Sequence, residues 1–472
     1  MKRPERKRLN PLGALGIFCG LAGAFLGGAM ARAQDVAITN ATLAVGDGSE
    51  PVPGATVVIR GGQVVAAGSG VAVPAGIQTI DGTGRWVTPG LFSAMTTLGL
   101  WDVEAVQESN DERAPASPFS AALDVKPALN PSSEHVEIAR AAGITRASVV
   151  TRPSSSIFGG QGAVVDLGAD PQMVVRPRAF QFLAMGETGA RIAGGSRAST
   201  HALLRNSLRE ARDLGENERI VGGPVRLPEQ RTGDDLPIDP RLIDTEGDRP
   251  TDVLLSRFDA AALRPVVTGE QPLYVHVERA SDIREVLALR DDFPNLRLVL
   301  VGVSEGWLVA QDIAAAGVPV IADPLDDLPT RFEQLAATQS NVGRMTEAGV
   351  KVAIGNFNGG TGDQPRNSAQ YAGNLVALTR IPGADGLPWG RAFATITSIP
   401  AEIAGYAGRF GVLRPGAAGD VVLWDGDPLE VGSAPVAVYI EGVEQPRENH
   451  QTFLRDRYRD LDVSDQPKAY DF

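Results

Sequence analysis

The sequence is short of the two side chains that bind transition metals most readily, since its 472 residues include one Cys and four His. A single Cys excludes an intrachain disulfide and any zinc site that is built on cysteines. Four His allow at most one histidine-rich centre, which would use nearly every histidine in the chain. The positions of these four residues are therefore the most informative feature of the composition.

Basic residues are also in deficit, with 44 Lys and Arg against 57 Asp and Glu and a formal net charge of −13. This balance excludes nucleic acid as the expected partner, because phosphate binding needs a basic surface. The remaining composition is that of an ordinary globular protein, with 43% hydrophobic and 21% charged residues. The length is sufficient for one large domain with a smaller one attached, or for two or three smaller domains.

Only one apolar run is long, and it lies at the N-terminus between residues 12 and 30. A basic segment precedes it and Ala31-Arg32-Ala33 follows it, which is the pattern of a cleaved secretory signal. We therefore predict a signal peptide over residues 1–33 and an exported protein, located in a bacterial periplasm. An uncleaved anchor is the alternative. After cleavage no other run is long enough to cross a bilayer, and Cys19 is lost with the signal.

Both ends of the mature chain are predicted to form short strands separated by glycine-containing turns. The strand-like runs lie at 36–38, 55–60, 63–67, 420–424 and 436–440. Gly61-Gly62, between two β-branched runs, predicts a hairpin. We therefore predict one small composite β-sandwich domain, assembled from residues 34–88 and 406–446.

The centre of the chain, residues 89–405, alternates strand-like and helix-like patterns. The predicted strands are 143–150, 273–277, 298–301, 318–321 and 350–354, and the predicted helices are 135–142, 281–290 and 307–315. Repeated strand–helix units favour a parallel sheet and, at this size, a TIM (β/α)8 barrel, so the fold class is α/β. Residues 223–250 are polar, acidic and proline-rich, which predicts a long surface excursion. Residues 447–472 form a charged tail with a short predicted helix at 453–461.

Several segments of the chain carry a family resemblance. They are 80–84, 88–98, 159–164, 348–353, 397–401, 411–420 and 426–429. Together they resemble amidohydrolase-superfamily proteins, and in particular the imidazolonepropionase-like exported amidohydrolases, over nearly the whole mature chain and in the same order. The resemblance implies a barrel of amidohydrolase type with a composite β domain. It also implies metal-dependent hydrolysis of non-peptide C–N bonds in small or cyclic amides.

The residues that hold the metal in that family are mostly replaced in this sequence. The family's first barrel strand ends in His-x-His, two later strands each supply a His, and a late strand supplies an Asp. These groups bind divalent metal, which activates water for attack. The matching positions here are Met95, Thr97, His276, Gly302 and Phe357. Only His276 retains a ligand.

The remaining histidines do not replace the missing ligands at the sequence level. His135 and His201 fall in predicted helices, and His450 lies in the tail. We therefore predict a degenerate enzyme that binds a small molecule or an active relative, with no cofactor and no assigned catalytic residue. The alternative is an active hydrolase of C–N bonds with an atypical site, which would need a divalent metal such as zinc. A purely structural exported protein is a third class, and homo-oligomerisation is left open.

Three further residues are predicted to line a pocket at the barrel mouth, namely Glu187, Arg279 and Asn356. Glu187 and Arg279 match elements of the related sequences, although a surface loop is an equal expectation for Glu187. Asp282 is predicted to support the N-terminus of its helix. The segment 159–162 is glycine-rich but lacks the lysine and spacing of a nucleotide-binding loop, so we predict a tight turn that leads into a strand.

Overall fold

The structure, a computed structural model, describes residues 33–103, 106–220, 254–324, 326–355 and 364–459. The predicted signal peptide before residue 33, the excursion at 223–250, Asn356 and Phe357 lie outside the described residues. Within the described ranges no helix has both the length and the apolar character needed to cross a membrane. Two eight-stranded sheets form the framework of this part of the chain.

The strands of the described ranges divide between these two sheets. They are β1 (Val36–Leu43), β2 (Val52–Arg60), β3 (Gln63–Gly68), β4 (Gln78–Asp81), β5 (Trp86–Pro89), β6 (Leu91–Thr96), β7 (Ile144–Val149), β8 (Phe158–Asp166), β9 (Val174–Ala184), β10 (Leu273–Val277), β11 (Leu298–Gly302), β12 (Val320–Ala322), β13 (Val352–Ile354), β14 (Val421–Trp424), β15 (Pro435–Ile440) and β16 (Val443–Glu444).

The helices lie mainly between the strands of the second sheet. They are α1 (Glu134–Ala141), α2 (Gly186–Ile192), α3 (Arg197–Ile220), α4 (Arg257–Val267), α5 (Ala280–Leu287), α6 (Leu289–Asp292), α7 (Ala310–Ala316), α8 (Asn341–Glu347), α9 (Ser368–Leu378), α10 (Trp389–Ala394), α11 (Ser398–Ile403) and α12 (His450–Arg457). Short 3-10 turns lie at 107–109, 126–128, 306–309, 332–334 and 365–367.

The first sheet joins both ends of the described chain, as the sequence predicts. Its order is β16-β15-β14-β5-β1-β2-β3, with β4 beside β1. Strand β14 runs antiparallel to β5, which places Val421 opposite Pro89. The predicted hairpin is also confirmed, because β2 and β3 are antiparallel and Arg60 pairs with Gln63. The composite β domain is therefore a property of the fold.

The second sheet is a nearly closed barrel with the order β6-β7-β8-β9-β10-β11-β12-β13. Strands β9 to β13 are parallel, as are β6 and β7. The gap between β13 and β6 is bridged by a short segment. The N–H of Ile354 donates to the carbonyl of Thr395 at 3.1 Å, and that of Phe92 donates to Ile396 at 2.9 Å. This arrangement confirms the predicted barrel.

One strand departs from the purely parallel sheet that the strand–helix repetition predicts. Strand β8 runs antiparallel to both β7 and β9. The connections at 150–157 and 167–173 are too short for a parallel crossover, which needs about a dozen residues. The prediction of a tight turn at 159–162 is wrong for the same region, because these residues lie within β8. A side chain at Gly162 would collide with the ring of Phe180 on the neighbouring strand.

A buried ion pair joins the barrel to the composite sheet. Arg146 of β7 donates from Nε and Nη2 to the two carboxylate oxygens of Asp420 at 2.7 and 3.0 Å. Both side chains are 2% exposed. The same guanidinium lies 4.3 Å from the ring centre of Phe410 and 3.6 Å from the carboxylate of Asp166. Because Arg146 stands early in its strand, this cluster lies towards the N-terminal end of the barrel, away from the C-terminal strand ends where barrel sites form.

Candidate functional site

The residues that match the family's ligand positions meet at the C-terminal edge of the barrel. His276 lies opposite Val301 in the pairing of β10 with β11, and Gly302 ends β11 opposite Val277. Met95 is near the end of β6 and Thr97 follows it. In TIM barrels this edge carries the active site. The structure therefore brings Met95, Thr97, His276 and Gly302 to the expected face.

His276 is held by a buried carboxylate. Its Nε2 lies 2.8 Å from Oε1 of Glu278, and the two residues are 4% and 0% exposed. The other carboxylate oxygen accepts hydrogen bonds from the backbone N–H of Ser304 at 2.9 Å and from its hydroxyl at 2.7 Å. Burial raises the pKa of Glu278, but the hydrogen bonds and charge of His276 and the bonds from Ser304 outweigh it, so the pKa lies below its ordinary value. An ionised Glu278 accepts a hydrogen bond from the Nε2–H of His276, which engages that nitrogen.

The position of Gly302 is shaped around the same carboxylate. Gly302 has φ +88°, and a Cβ built on it would lie 2.5 Å from Oε1 of Glu278. Glu278 thus occupies the space that a side chain at 302 would need. The next residue, Val303, has φ +62°, which is unusual for a β-branched residue and costs of the order of 1–3 kcal/mol. Backbone strain is therefore concentrated at this strand end.

A hydrogen-bonded chain continues from Glu278 to a second carboxyl group. The hydroxyl of Ser304 contacts Oε2 of Glu278 and Oδ2 of Asp326, and Nε2 of Gln334 donates to that Asp326 oxygen at 3.1 Å. Burial raises the pKa of Asp326 more than the hydrogen bond from Ser304 lowers it. Since one hydroxyl proton serves one acceptor at a time, Ser304 donates either to Glu278 or to Asp326 and so links the two carboxyl groups. Acid–base groups thus extend from His276 to Asp326.

The two positions at the end of β6 have other contacts. Met95 is 2% exposed and packs in the apolar cluster of the barrel interior. The Thr97 hydroxyl donates to Oε1 of Glu112 at 2.6 Å and accepts from Nε1 of Trp101 at 3.2 Å. Glu112 in turn lies 3.6 Å from Arg152. Thr97 is therefore part of a polar network on one side of the mouth.

Glu187 lies beside a fully buried glutamate. It stands in the first turn of α2, half-buried, and its backbone N–H donates to Oε2 of Glu333 at 2.5 Å. Arg197 donates to the same oxygen at 3.2 Å. Gly186, with φ +61°, leaves the space that Glu333 fills. Burial raises the pKa of Glu333, and the hydrogen bond from Glu187 lowers it less.

The remaining predicted residues contribute less to this site. Arg279 is exposed at the N-terminus of α5, and Asn356 is outside the described residues, as is Phe357. Asp282 lies in the first turn of α5 as predicted, but its carboxylate makes no cap and accepts from Nε of Arg197 at 2.7 Å. It therefore orients the arginine that contacts Glu333.

The other histidines lie on three different helices. His135 of α1 packs against Trp101 with ring centres 3.7 Å apart and the rings tilted by 36°, His201 is on α3, and His450 begins α12. A metal site needs three or more convergent ligands. Among the residues described by the structure, no group of three or more His, Cys, Asp or Glu side chains is arranged to hold a metal ion. The donor set around His276 does not fit the centre that the family resemblance implies.

Four residues of this site were not predicted from the sequence, namely Glu278, Ser304, Asp326 and Glu333. The sequence does contain an indication of Glu278. Side chains two residues apart on an extended strand face the same way, and Glu278 lies two residues after His276. The other three have no local signal, since the loops that carry them are brought to the mouth only by the closed barrel.

Comparisons with known proteins support this architecture. The sequence model of the amidohydrolase family matches residues 307–444. The chain is 22% identical over 402 residues to amidohydrolase tasK of Hapsidospora irregularis, and the match covers 79% of this chain and 38% of that protein. The chain thus spans about two fifths of the length of this curated relative.

One solved structure shows the same fold. An amidohydrolase from Thermotoga maritima MSB8 superposes with a TM-score of 0.72 at 22% identity, over 88% of this chain and all of that one. A molinate hydrolase matches with a TM-score of 0.49 at 17% identity, over 93% of this chain and 99% of that one. At 22% identity the likeness to the Thermotoga maritima protein concerns the fold alone.

Proposed function

The chain belongs to the amidohydrolase superfamily, and we propose that it keeps the hydrolase barrel but has lost the metal-dependent reaction, acting instead by binding a small molecule at the barrel mouth. In this superfamily, bound metal supplies an activated water and polarises the scissile carbonyl. Without such a centre, hydrolysis by this route falls by many orders of magnitude. The proposal therefore depends on what occupies the ligand positions.

The relationship between Glu278 and its two neighbours carries the proposal. Its Oε1 takes the Nε2 hydrogen bond of His276, the single retained ligand position, and fills the space beside Gly302. The second effect removes a ligand position, and the first leaves His276 only Nδ1 for a metal. The burial of Met95 among apolar side chains supports the same conclusion.

Metal analysis of protein purified without chelators tests this function. We expect divalent metal well below one ion per chain and a melting temperature that EDTA leaves unchanged. Stoichiometric zinc, manganese or a similar ion that survives dialysis would contradict the proposal. Activity need not be known for either readout.

An active hydrolase of C–N bonds with an atypical site is the second candidate, and the chain from His276 to Asp326 favours it. A buried His–Glu pair linked through Ser304 to a second carboxyl group can hold and move a proton at the barrel mouth. Hydrolysis of a panel of small and cyclic amides in the presence of EDTA, abolished by Glu278→Gln, would support this candidate. No hydrolysis by protein that remains folded would exclude its metal-independent form.

We also propose export to a bacterial periplasm and either self-association or association with an active relative. The basic and apolar N-terminus supports export, and cell fractionation of the full chain tests it. Recovery of the unprocessed chain in the cytoplasm would contradict it. Sedimentation of the purified chain, alone and with an intact relative, tests association, and a monomer in both samples would contradict it.

A further inference from the structure

Glu333 has a buried carboxylate oxygen, Oε1, that accepts no hydrogen bond from any residue that the structure describes. The side chain is 0% exposed, and its Oε2 accepts from the N–H of Glu187 and from Arg197. Oε1 is buried and accepts no hydrogen bond from the described residues, and Nη1 of Arg331 lies 4.0 Å away. A buried polar atom without a partner costs about 1–3 kcal/mol. This oxygen therefore indicates a donor that the described chain does not supply.

Glu187 provides a second free carboxylate next to it. The side chain is half-buried at the C-terminal end of β9, and its carboxylate makes no ion pair or hydrogen bond with any residue that the structure describes. Its main chain is bonded to Glu333, so the two residues are direct neighbours. We call Glu187 and Glu333 the acidic pair.

The charges around the acidic pair are not balanced by the described residues. Two arginines face these carboxylates. Arg197 contacts Glu333 and is shared with Asp282 at 2.7 Å, and Nη1 of the partly exposed Arg331 lies 4.0 Å from Oε1 of Glu333. Glu278 adds a further negative charge, which is close enough to raise the pKa of Glu333. In a partly buried site, an excess of carboxylates attracts a positive ligand more strongly than in water.

We propose that the acidic pair binds the protonated nitrogen group, ammonium or guanidinium, of a small organic molecule. This inference rests on the proposed function, since it takes the barrel mouth as a ligand site. An N–H donor reaches Oε1 of Glu333, and the carboxylate of Glu187 supplies a second acceptor. A guanidinium suits two neighbouring carboxylates best, because its planar donors bond to two acceptors at once. A metal ion suits them less, because the described residues offer no three-ligand group.

Calorimetric titration with n-butylguanidinium and with n-butylurea tests this inference. The two molecules have the same shape and differ in charge. We expect n-butylguanidinium to bind at least tenfold more tightly, with an affinity that falls as salt is added. Equal binding of the two probes, or no binding of either, would overturn the inference.

Variants of the acidic pair test whether the cation binds at these two residues. Glu187→Gln and Glu333→Gln should each weaken n-butylguanidinium binding at least tenfold, whereas Glu347→Gln, an exposed carboxylate at the end of α8, should leave it unchanged. Glu187→Gln keeps the inference testable if the buried Glu333→Gln variant fails to fold. An unchanged affinity in Glu187→Gln would place the cation elsewhere and overturn the inference.

The metal content of the same preparation separates this result from the proposed function. If the protein is metal-free and does not bind n-butylguanidinium, only the inference of a cation site is contradicted. Metal-loaded protein contradicts the proposed function, and release of the metal by the probe would assign the acidic pair to the metal rather than to an organic cation.

Discussion

Oε1 of Glu278 lies where the side chain of residue 302 would stand, 2.5 Å from a Cβ built on Gly302. The same oxygen bonds to Nε2 of His276. A carboxylate therefore occupies the region between two of the positions that the family resemblance predicts to be metal-ligand positions.

Gly302→Ala should destabilise the protein by about 2–4 kcal/mol, because the new Cβ meets Glu278 and the backbone has φ +88°. Gly349→Ala is a matched control with φ +90° and nothing within 4 Å of the new Cβ. Gly349→Ala should lower the unfolding free energy by only about 1 kcal/mol, which is the strain of placing a non-glycine residue in the left-handed backbone conformation. Chemical denaturation of both variants measures the difference. Equal losses would mean that Glu278 does not fill the space.

Restoring histidine at Met95 and Thr97 should not create a metal centre. The double variant leaves Gly302 without a side chain and His276 bonded to Glu278. We expect no stoichiometric zinc after dialysis and no gain in amide hydrolysis. Zinc bound at one ion per chain in this variant would show that the remaining ligands are misassigned.

Arg146→Met should cost about 3–5 kcal/mol in unfolding free energy, because it leaves the buried carboxylate of Asp420 without its partner. Asp312→Asn is the exposed comparison. It breaks an ion pair with Arg284 in which both side chains are about half exposed, and it should cost less than about 1 kcal/mol. Urea denaturation of the two variants compares them. A small effect of Arg146→Met would contradict a joining role for this pair.

Asp166 should make stability depend on pH in the acid range. Burial raises its pKa to about 6, although Arg146 and a backbone hydrogen bond from Gly168 oppose this, whereas the unfolded value is near 3.8. The folded state therefore holds the proton more tightly, and this contribution to stability is lost as pH rises from about 4 to about 6. The slope is at most ~1.4 kcal/mol per pH unit. Unfolding free energies of the wild type and of Asp166→Asn, measured across this pH range, isolate the contribution of Asp166. If the two free energies change with pH in the same way, the prediction is contradicted.

Much of the fold could be predicted because its signals are local. Strand β10 has the predicted bounds, 273–277, since a continuous apolar run followed by a helical pattern identifies a buried parallel strand. The hairpin could also be predicted, because two adjacent residues, Gly61 and Gly62, are enough to indicate its turn. Strand β8 could not be predicted in the same way, because its direction depends on how short loops join it to its neighbours.

The strand ends that carry the predicted ligand positions could also be located from sequence, but the side chains that surround those positions could not. The positions of His276 and Gly302 follow from strand ends. The seating of Glu278 beside Gly302 needs the left-handed backbone at 302, and the burial of Glu333 needs a loop that folds back over the mouth from far along the chain. Such contacts depend on the closed barrel and leave no periodic pattern in the sequence.

The scarcity of histidine makes the central claim directly measurable. Nitrogen-15 NMR of protein labelled only at histidine gives signals from four imidazoles, and a His276→Gln variant assigns one of them. With one equivalent of zinc added, we predict that the ring nitrogens of His276 keep their chemical shifts and that Nε2 stays protonated by its bond to Glu278. A shift of Nε2 to a metal-bound position at one zinc per chain would contradict the account.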